Sequence, residues 1–135
     1  MSRGIREVEV YAHAQNVIGV RFRLHGRDET GLDCVGLIVL AYARAGFTIS
    51  DAFRDYPIRG VSLARIEQGL EQAGFVRRDD GSQCGDVTVI DCGHGQYHLA
   101  LMGEVSHVHA HAGLRRVVET PGNPESIRAL FRYCG

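Results

Sequence analysis

The sequence predicts one α+β domain over residues 1–135, with N-terminal helices packed on an antiparallel sheet or partial barrel. Three observations carry that expectation. Up to Ala73, apolar residues recur at helical spacing between glycines. After Gly74 the pattern changes to alternation, with turn residues between short runs. The length of 135 residues suits a single core that buries roughly two-thirds of the unfolded surface.

Composition narrows the function. Apolar residues make up 44% and charged residues 23%, the balance of an ordinary globular chain. A formal net charge of -1 supplies no basic field for nucleic acid or an anionic membrane. No run approaches the ~20 apolar residues of a membrane span. Met1 to Glu9 carries charges of both signs and no apolar core. The expectation is therefore cytoplasmic synthesis without a signal peptide. The four cysteines, Cys34, Cys84, Cys92 and Cys134, show no CxxC spacing. Free thiols are expected.

The first helix is expected over residues 5–18, with Ile5, Val8, Ala12, Ala14 and Val17 on its apolar side and Gly19 ending it. Residues 19–31 read as a polar loop into the next helix, a common place for binding groups. Phe22 and Arg23 on that loop are candidate substrate contacts. Next comes Leu32-Asp33-Cys34-Val35-Gly36-Leu37, opening a helix whose stripe is Leu37, Ile38, Ala41, Tyr42 and Ala45. Thr30 or Asp33 can cap it. Cys34 then lies in the first turn, where the helix dipole favours the nucleophilic thiolate. The competing reading is a buried core cysteine. Residues 47–60 form a loop in which Asp51, Arg54, Asp55, Tyr56 and Arg59 can line a groove. A third helix is expected from Ser62, its cap, to Ala73, on Leu63, Ile66 and Leu70.

Strands follow over residues 75–77, 87–90, 97–102, 105–112 and 116–119, separated by glycine-bearing turns. Pro121 to Pro124 breaks the chain. Residues 127–133 alternate and read as a last strand, with a short helix as the alternative.

Five of the seven histidines fall between His94 and His111. His107, His109 and His111 share one face of a strand, and a hairpin at Gly103-Glu104 sets that strand beside the one bearing His98. A cysteine nucleophile needs a histidine to take its proton and a second polar group to orient that histidine. Cys34, His98 and one of the trio can supply these parts, with backbone N–H groups at the helix start for the oxyanion. The rival is a metal module drawn from Cys84, Cys92, His94, His98, His107, His109 and His111. Its spacings match no standard structural zinc pattern, and Cys84 and Cys92 flank opposite ends of one strand.

Leu32-Asp33-Cys34-Val35-Gly36-Leu37 resembles the Asp-Cys-Ser-Gly-Leu/Phe motif of the NlpC/P60 cysteine peptidases. Gly85-Asp86-Val87-Thr88-Val89-Ile90 resembles that family's Gly-Asp step into a strand. Tyr97-His98-Leu99-Ala100-Leu101-Met102 resembles its histidine strand. His109-Ala110-His111-Ala112-Gly113, followed by Arg116-Val117-Val118-Glu119, resembles its third block. The four occur in the family's order and cover nearly the whole chain. Their compact form looks most like the members encoded with tail genes of phages, prophages and gene transfer agents.

The resemblance implies a papain-like fold and hydrolysis of peptidoglycan stem peptides, typically between D-γ-glutamate and a diamino acid. It implies Cys34 as nucleophile, His98 as base and His109 as orienting group, with His111 as the fallback for that role or a substrate contact. It implies Asp33 as a substrate-binding residue. No cofactor is expected. The implied partners are stem peptides and tail-hub or tip proteins, in a virion or tail-like particle that acts at the periplasm or cell wall. Two positions depart from the family: Val35 stands where it has serine, and Phe22 where it has tyrosine. A structural tail component with weak or no activity, and an amidase or acyltransferase on the same Cys-His core, are the alternatives.

Overall fold

The computed structural model describes residues 3–51, 56 and 61–135, with side chains from Arg6 onward. Arg54, Asp55 and Arg59 lie outside the described residues. Helix α1 spans Arg3–Gln15. It buries Val10, Tyr11 and Ala14, with Val17 just beyond, while Val8 is 50% exposed and Ala12 is also exposed. Val8 and Ala12 are each two residues from Val10, about 200° around the helix. Of the expected apolar side, Ala14 and Val17 meet the core and Val8 and Ala12 do not, while the Ile5 side chain lies outside the described residues. The helix also stops at Gln15, short of Ile18.

Residues 19–32 are more ordered than a loop. Gly19 N–H donates to the Val117 carbonyl at 2.9 Å, and Phe22 N–H donates to that of Arg115 at 2.8 Å. Two-residue strands β1 (Arg27–Asp28) and β2 (Gly31–Leu32) pair within the segment. Strands this short leave no alternation to read in a sequence.

Helix α2 (Cys34–Arg44) runs through the core, burying Gly36, Leu37, Ile38, Leu40, Ala41 and Tyr42. Asp33, not Thr30, caps it, accepting from Gly36 N–H at 2.8 Å. Gly36 is required by the approach of the preceding loop: a Cβ there would lie 1.8 Å from the Gly26 carbonyl oxygen. Helix α3 (Leu63–Gln72) is capped by Ser62, which accepts from Arg65 N–H, and buries Ile66 and Leu70.

The remaining strands are β3 (Phe75–Arg78), β4 (Val87–Asp91), β5 (Tyr97–Met102), β6 (Ser106–His111), β7 (Arg116–Pro121) and β8 (Ile127–Tyr133). They form one antiparallel sheet in the order β3-β8-β4-β5-β6-β7. β4 to β7 is the expected meander. β8 is a strand, and it returns to insert between β3 and β4. Its Arg132 breaks the alternation, being buried against Asp86 through Nε and Nη2 at 2.9 Å each. That pairing holds the Gly85-Asp86 turn, because removing one partner of a buried charge pair costs about 3–5 kcal/mol. Tyr42 ties α2 to the same turn by donating to the Gly85 carbonyl. Its ring sits among Phe47, Phe75 and Tyr133 with centroids 5.2–5.3 Å away.

Candidate active site

Cys34 is the first residue of α2, and its position follows from the cap beside it. Asp33 is 2% exposed. One carboxylate oxygen accepts from Gly36 N–H at 2.8 Å and Arg27 Nη1 at 3.0 Å. The other accepts from His25 N–H at 2.8 Å and from the Tyr56 hydroxyl. Four donors from the chain itself occupy a group with about four acceptor sites. Asp33 thus fixes the helix start and the two segments that flank it, and it also lines the cavity that holds Cys34.

Cys34, His98, His109 and His111 all line one cavity of about 460 Å³. Its walls are mostly apolar, with Phe22, Leu24, Val35, Val61, Ile66 and Leu99 prominent, and Tyr56 joins them. Phe22 is where the sequence placed it. Arg23 is not: Phe22 and Leu24 line the cavity, while Arg23 lies over Gly31 and reaches Thr30 Oγ1 at 3.4 Å. Asp51 serves Arg27, 2.8 Å away.

The pairing of β5 with β6 joins Leu101 to Val108 and Met102 to His107. Continued, that register would set His98 opposite His111. The registered pairs stop at Leu101, however, and His98 Nε2 meets His109 Nδ1 at 2.9 Å instead. This decides which of the trio reaches His98. His109 Nε2 lies 3.5 Å from Thr120 Oγ1, a neighbour that carries no motif and that sequence reasoning missed. His111 Nδ1 accepts from Leu114 N–H at 2.9 Å, so its neutral form carries the proton on Nε2 and is a fixed donor. His107 stacks on His109 but is buried, with Nδ1 2.8 Å from the Gly122 carbonyl. The rings of His107, His109 and His111 follow one another at 5.3 and 5.4 Å, as their shared strand face requires.

The electrostatics overturn one expectation. Burial pushes the Cys34 thiol up to about 12, and the Asp33 charge adds to it. Backbone groups of Leu99, Val35 and Cys34 pull the other way. The helix start thus has the expected sign and is outweighed by desolvation. Burial, then repulsion from His109, His111 and His107, lowers His98 to about 3. Burial, then His107 and His111, lowers His109 to about 4. At neutral pH the Cys34 thiol, His98 and His109 are therefore all neutral in the resting site.

The proposed metal ligands do not assemble. Cys84 sits against the Glu7 carbonyl of α1 at 3.6 Å, and His94 is on an exposed turn. Cys92 is at the cavity rim. Among the described residues, no three His, Cys, Asp or Glu side chains are grouped to hold a metal ion.

A family model, described as the NlpC/P60 family, matches residues 19–132. This chain belongs to the NlpC/P60 family. Solved structures agree on the fold. An NlpC/P60 family protein from Bacillus cereus is 22% identical with a TM-score of 0.69, over 96% of this chain and 40% of that one. The present NlpC/P60 chain thus spans less than half the length of that relative. The NlpC/p60 domain of the peptidoglycan hydrolase SagA is 20% identical with a TM-score of 0.61, over 93% and 97%. RipD from Mycobacterium tuberculosis, described as a non-catalytic NlpC/p60 domain protein adapted to peptidoglycan binding, is 18% identical with a TM-score of 0.62, over 96% and 98%. No curated protein sequence matches. Among the described residues no helix is long and apolar enough to cross a membrane.

Proposed function

We propose that this NlpC/P60 domain is a cysteine peptidase that hydrolyses a stem-peptide amide of peptidoglycan, the D-γ-glutamyl–diamino acid bond being the expected one. The observation that carries the reading is the meeting of Cys34, His98 and His109 at one cavity, with a 2.9 Å bond between the two imidazoles. His98 Nε2 is engaged by His109, which leaves Nδ1 as the basic nitrogen. With its own proton on Nε2, His98 donates to His109 Nδ1. His109 then carries its proton on Nε2, toward Thr120 Oγ1.

In the first step His98 Nδ1 takes the thiol proton as sulfur attacks the carbonyl carbon. Because both groups rest neutral, proton transfer accompanies attack instead of preceding it. The Cys34 and Val35 N–H groups at the start of α2, which already act on the sulfur, are the donors available to the developing oxyanion. The C–N bond then breaks, and the amine leaves with the proton from His98. His98 then takes a proton from a water, whose oxygen attacks the thioester carbon; the C–S bond breaks, His98 returns the proton to sulfur, and the released acid gives its own proton to solvent. His111 Nε2–H is the donor suited to a substrate carbonyl.

Incubation of the wild type and Cys34→Ala with peptidoglycan fragments, read by mass spectrometry, tests this. New products from the wild type alone are expected, and their masses name the bond. Identical product spectra from both proteins would refute it. A second reading, a peptidoglycan-binding domain without activity, is favoured by the raised Cys34 thiol and by the description of RipD. Retention on insoluble peptidoglycan with no cleavage would establish that one. We further propose delivery in a phage-tail or gene-transfer-agent particle, a proposal that rests on the motif resemblance. Absence of the protein from purified particles would count against it.

A further inference from the structure

We propose that Arg27 is a positioning residue for Cys34, its guanidinium neutralising the Asp33 carboxylate next to the thiol and so setting how readily that thiol reacts. The inference rests on the reading of Cys34 as the reactive group. It begins with the chain itself: Asp33 and Cys34 are adjacent, and the carboxylate is 2% exposed. A buried negative charge beside a thiol opposes loss of the thiol proton, because the low dielectric leaves the repulsion unscreened.

Arg27 is built to offset that charge. Its side chain is 11% exposed, and Nη1 lies 3.0 Å from Asp33 Oδ1. Its other contacts lock the plane of the guanidinium. Nε donates to Asp51 at 2.8 Å, Nη2 to the Tyr56 hydroxyl at 3.1 Å, and Nη1 also to the Gly26 carbonyl at 3.1 Å. Tyr56 in turn donates to Asp33, and its carbonyl lies 2.7 Å from His25 Nε2. A lysine could supply the charge here but not the fork.

The titratable groups on the cavity walls around Cys34 come from every side. Among the described residues they are Asp33 itself, Tyr97 and His98 of β5, His109 and His111 of β6, Cys92 of the turn before β5, and Tyr56. The wall toward α3 is Val61 and Ile66. Burial keeps His98 and His109 neutral. Asp33 supplies the negative charge at the helix start, and Arg27 the positive charge bonded to it. Arg27 does not line the cavity, so its influence on the thiol passes through Asp33 and through its own field.

The test is the rate at which iodoacetamide alkylates Cys34, read by mass spectrometry, with Cys84, Cys92 and Cys134 as internal references. Near pH 8, Arg27→Met is expected to slow Cys34 about tenfold, the effect of one pKa unit. Asp33→Asn is expected to speed it by a similar factor. The double variant restores the charge balance and should return to within about threefold of wild type. Arg27→Lys, with the charge and without the fork, should fall between wild type and Arg27→Met.

An Arg27 that only braced the fold would give a different pattern: the double variant would be no faster than Arg27→Met, and the reference cysteines would accelerate together. That pattern would overturn the proposal. Should Arg27→Met fail to fold, an unchanged Cys34 rate in Asp33→Asn would overturn it as well. Peptidoglycan cleavage is scored separately. The expected alkylation pattern in a protein that cleaves nothing would sink the peptidase reading alone, and unchanged alkylation in an active enzyme would sink this inference alone.

Discussion

Replacing His98 with glutamine should flatten the dependence of stability on pH. His98 falls from an ordinary 6.5 to about 3 in the folded protein. The folded state thus binds this proton less well than the unfolded chain. Its contribution is fully present above about pH 6.5 and drains away as pH falls toward 3. Each unit of difference is worth about 1.4 kcal/mol, so at pH 4 the wild type should have lost on the order of 3 kcal/mol through this one group. For a domain of this size that is a fall in Tm of roughly 10 °C. The window from pH 7 to 4 keeps the best-paired carboxylates out of the result, since Asp80 is held at about 2 by Arg78. Thermal and urea unfolding of the wild type and His98→Gln at several pH values supply the comparison. The absolute stability of the variant does not matter, because the slopes are what is compared. Parallel curves for the two proteins would refute both the neutral His98 and the mechanism in which attack and proton transfer coincide.

Thr120→Val removes the hydroxyl 3.5 Å from His109 Nε2. A fall in kcat/KM of about fivefold at unchanged Tm is expected, the loss of roughly 1 kcal/mol of orientation; an unaltered kcat/KM would exclude Thr120 from the relay. Gly36→Ala places a methyl 1.8 Å from the Gly26 carbonyl oxygen. Thermal melts should show a loss of at least about 1–3 kcal/mol, with cleavage abolished, since the loop carrying Arg27 must shift. Dialysis against EDTA should leave both the melt and peptidoglycan cleavage unchanged, and loss of either would revive the metal reading.

The sequence by itself determined the α+β class, the place of Cys34 at a helix start and the strands that carry the histidines. Those features are local. A capped apolar stripe at period 3.6 and an alternating run at period two are written into neighbouring residues. The NlpC/P60 motifs were legible for the same reason. The face of α1 was not, because Val8 and Val10 are equally apolar and only the packing against α2 selects between them. The insertion of β8 between β3 and β4 was not legible either, since strand order depends on contacts between distant segments.

At the site the division is sharper. The shared face of His107, His109 and His111 follows from alternation. Whether His109 or His111 meets His98 depends on where the β5–β6 pairing stops. The dipole at Cys34 could be foreseen from a helix start. Its defeat by burial could not, because desolvation is set by what the whole fold stacks around the sulfur. Asp33 reads as a helix cap from its place before Cys34, and only the tertiary structure brings Arg27, His25 and Tyr56 to it. Local periodicity fixes what each segment is, and long-range packing fixes which charges and protons its side chains can keep.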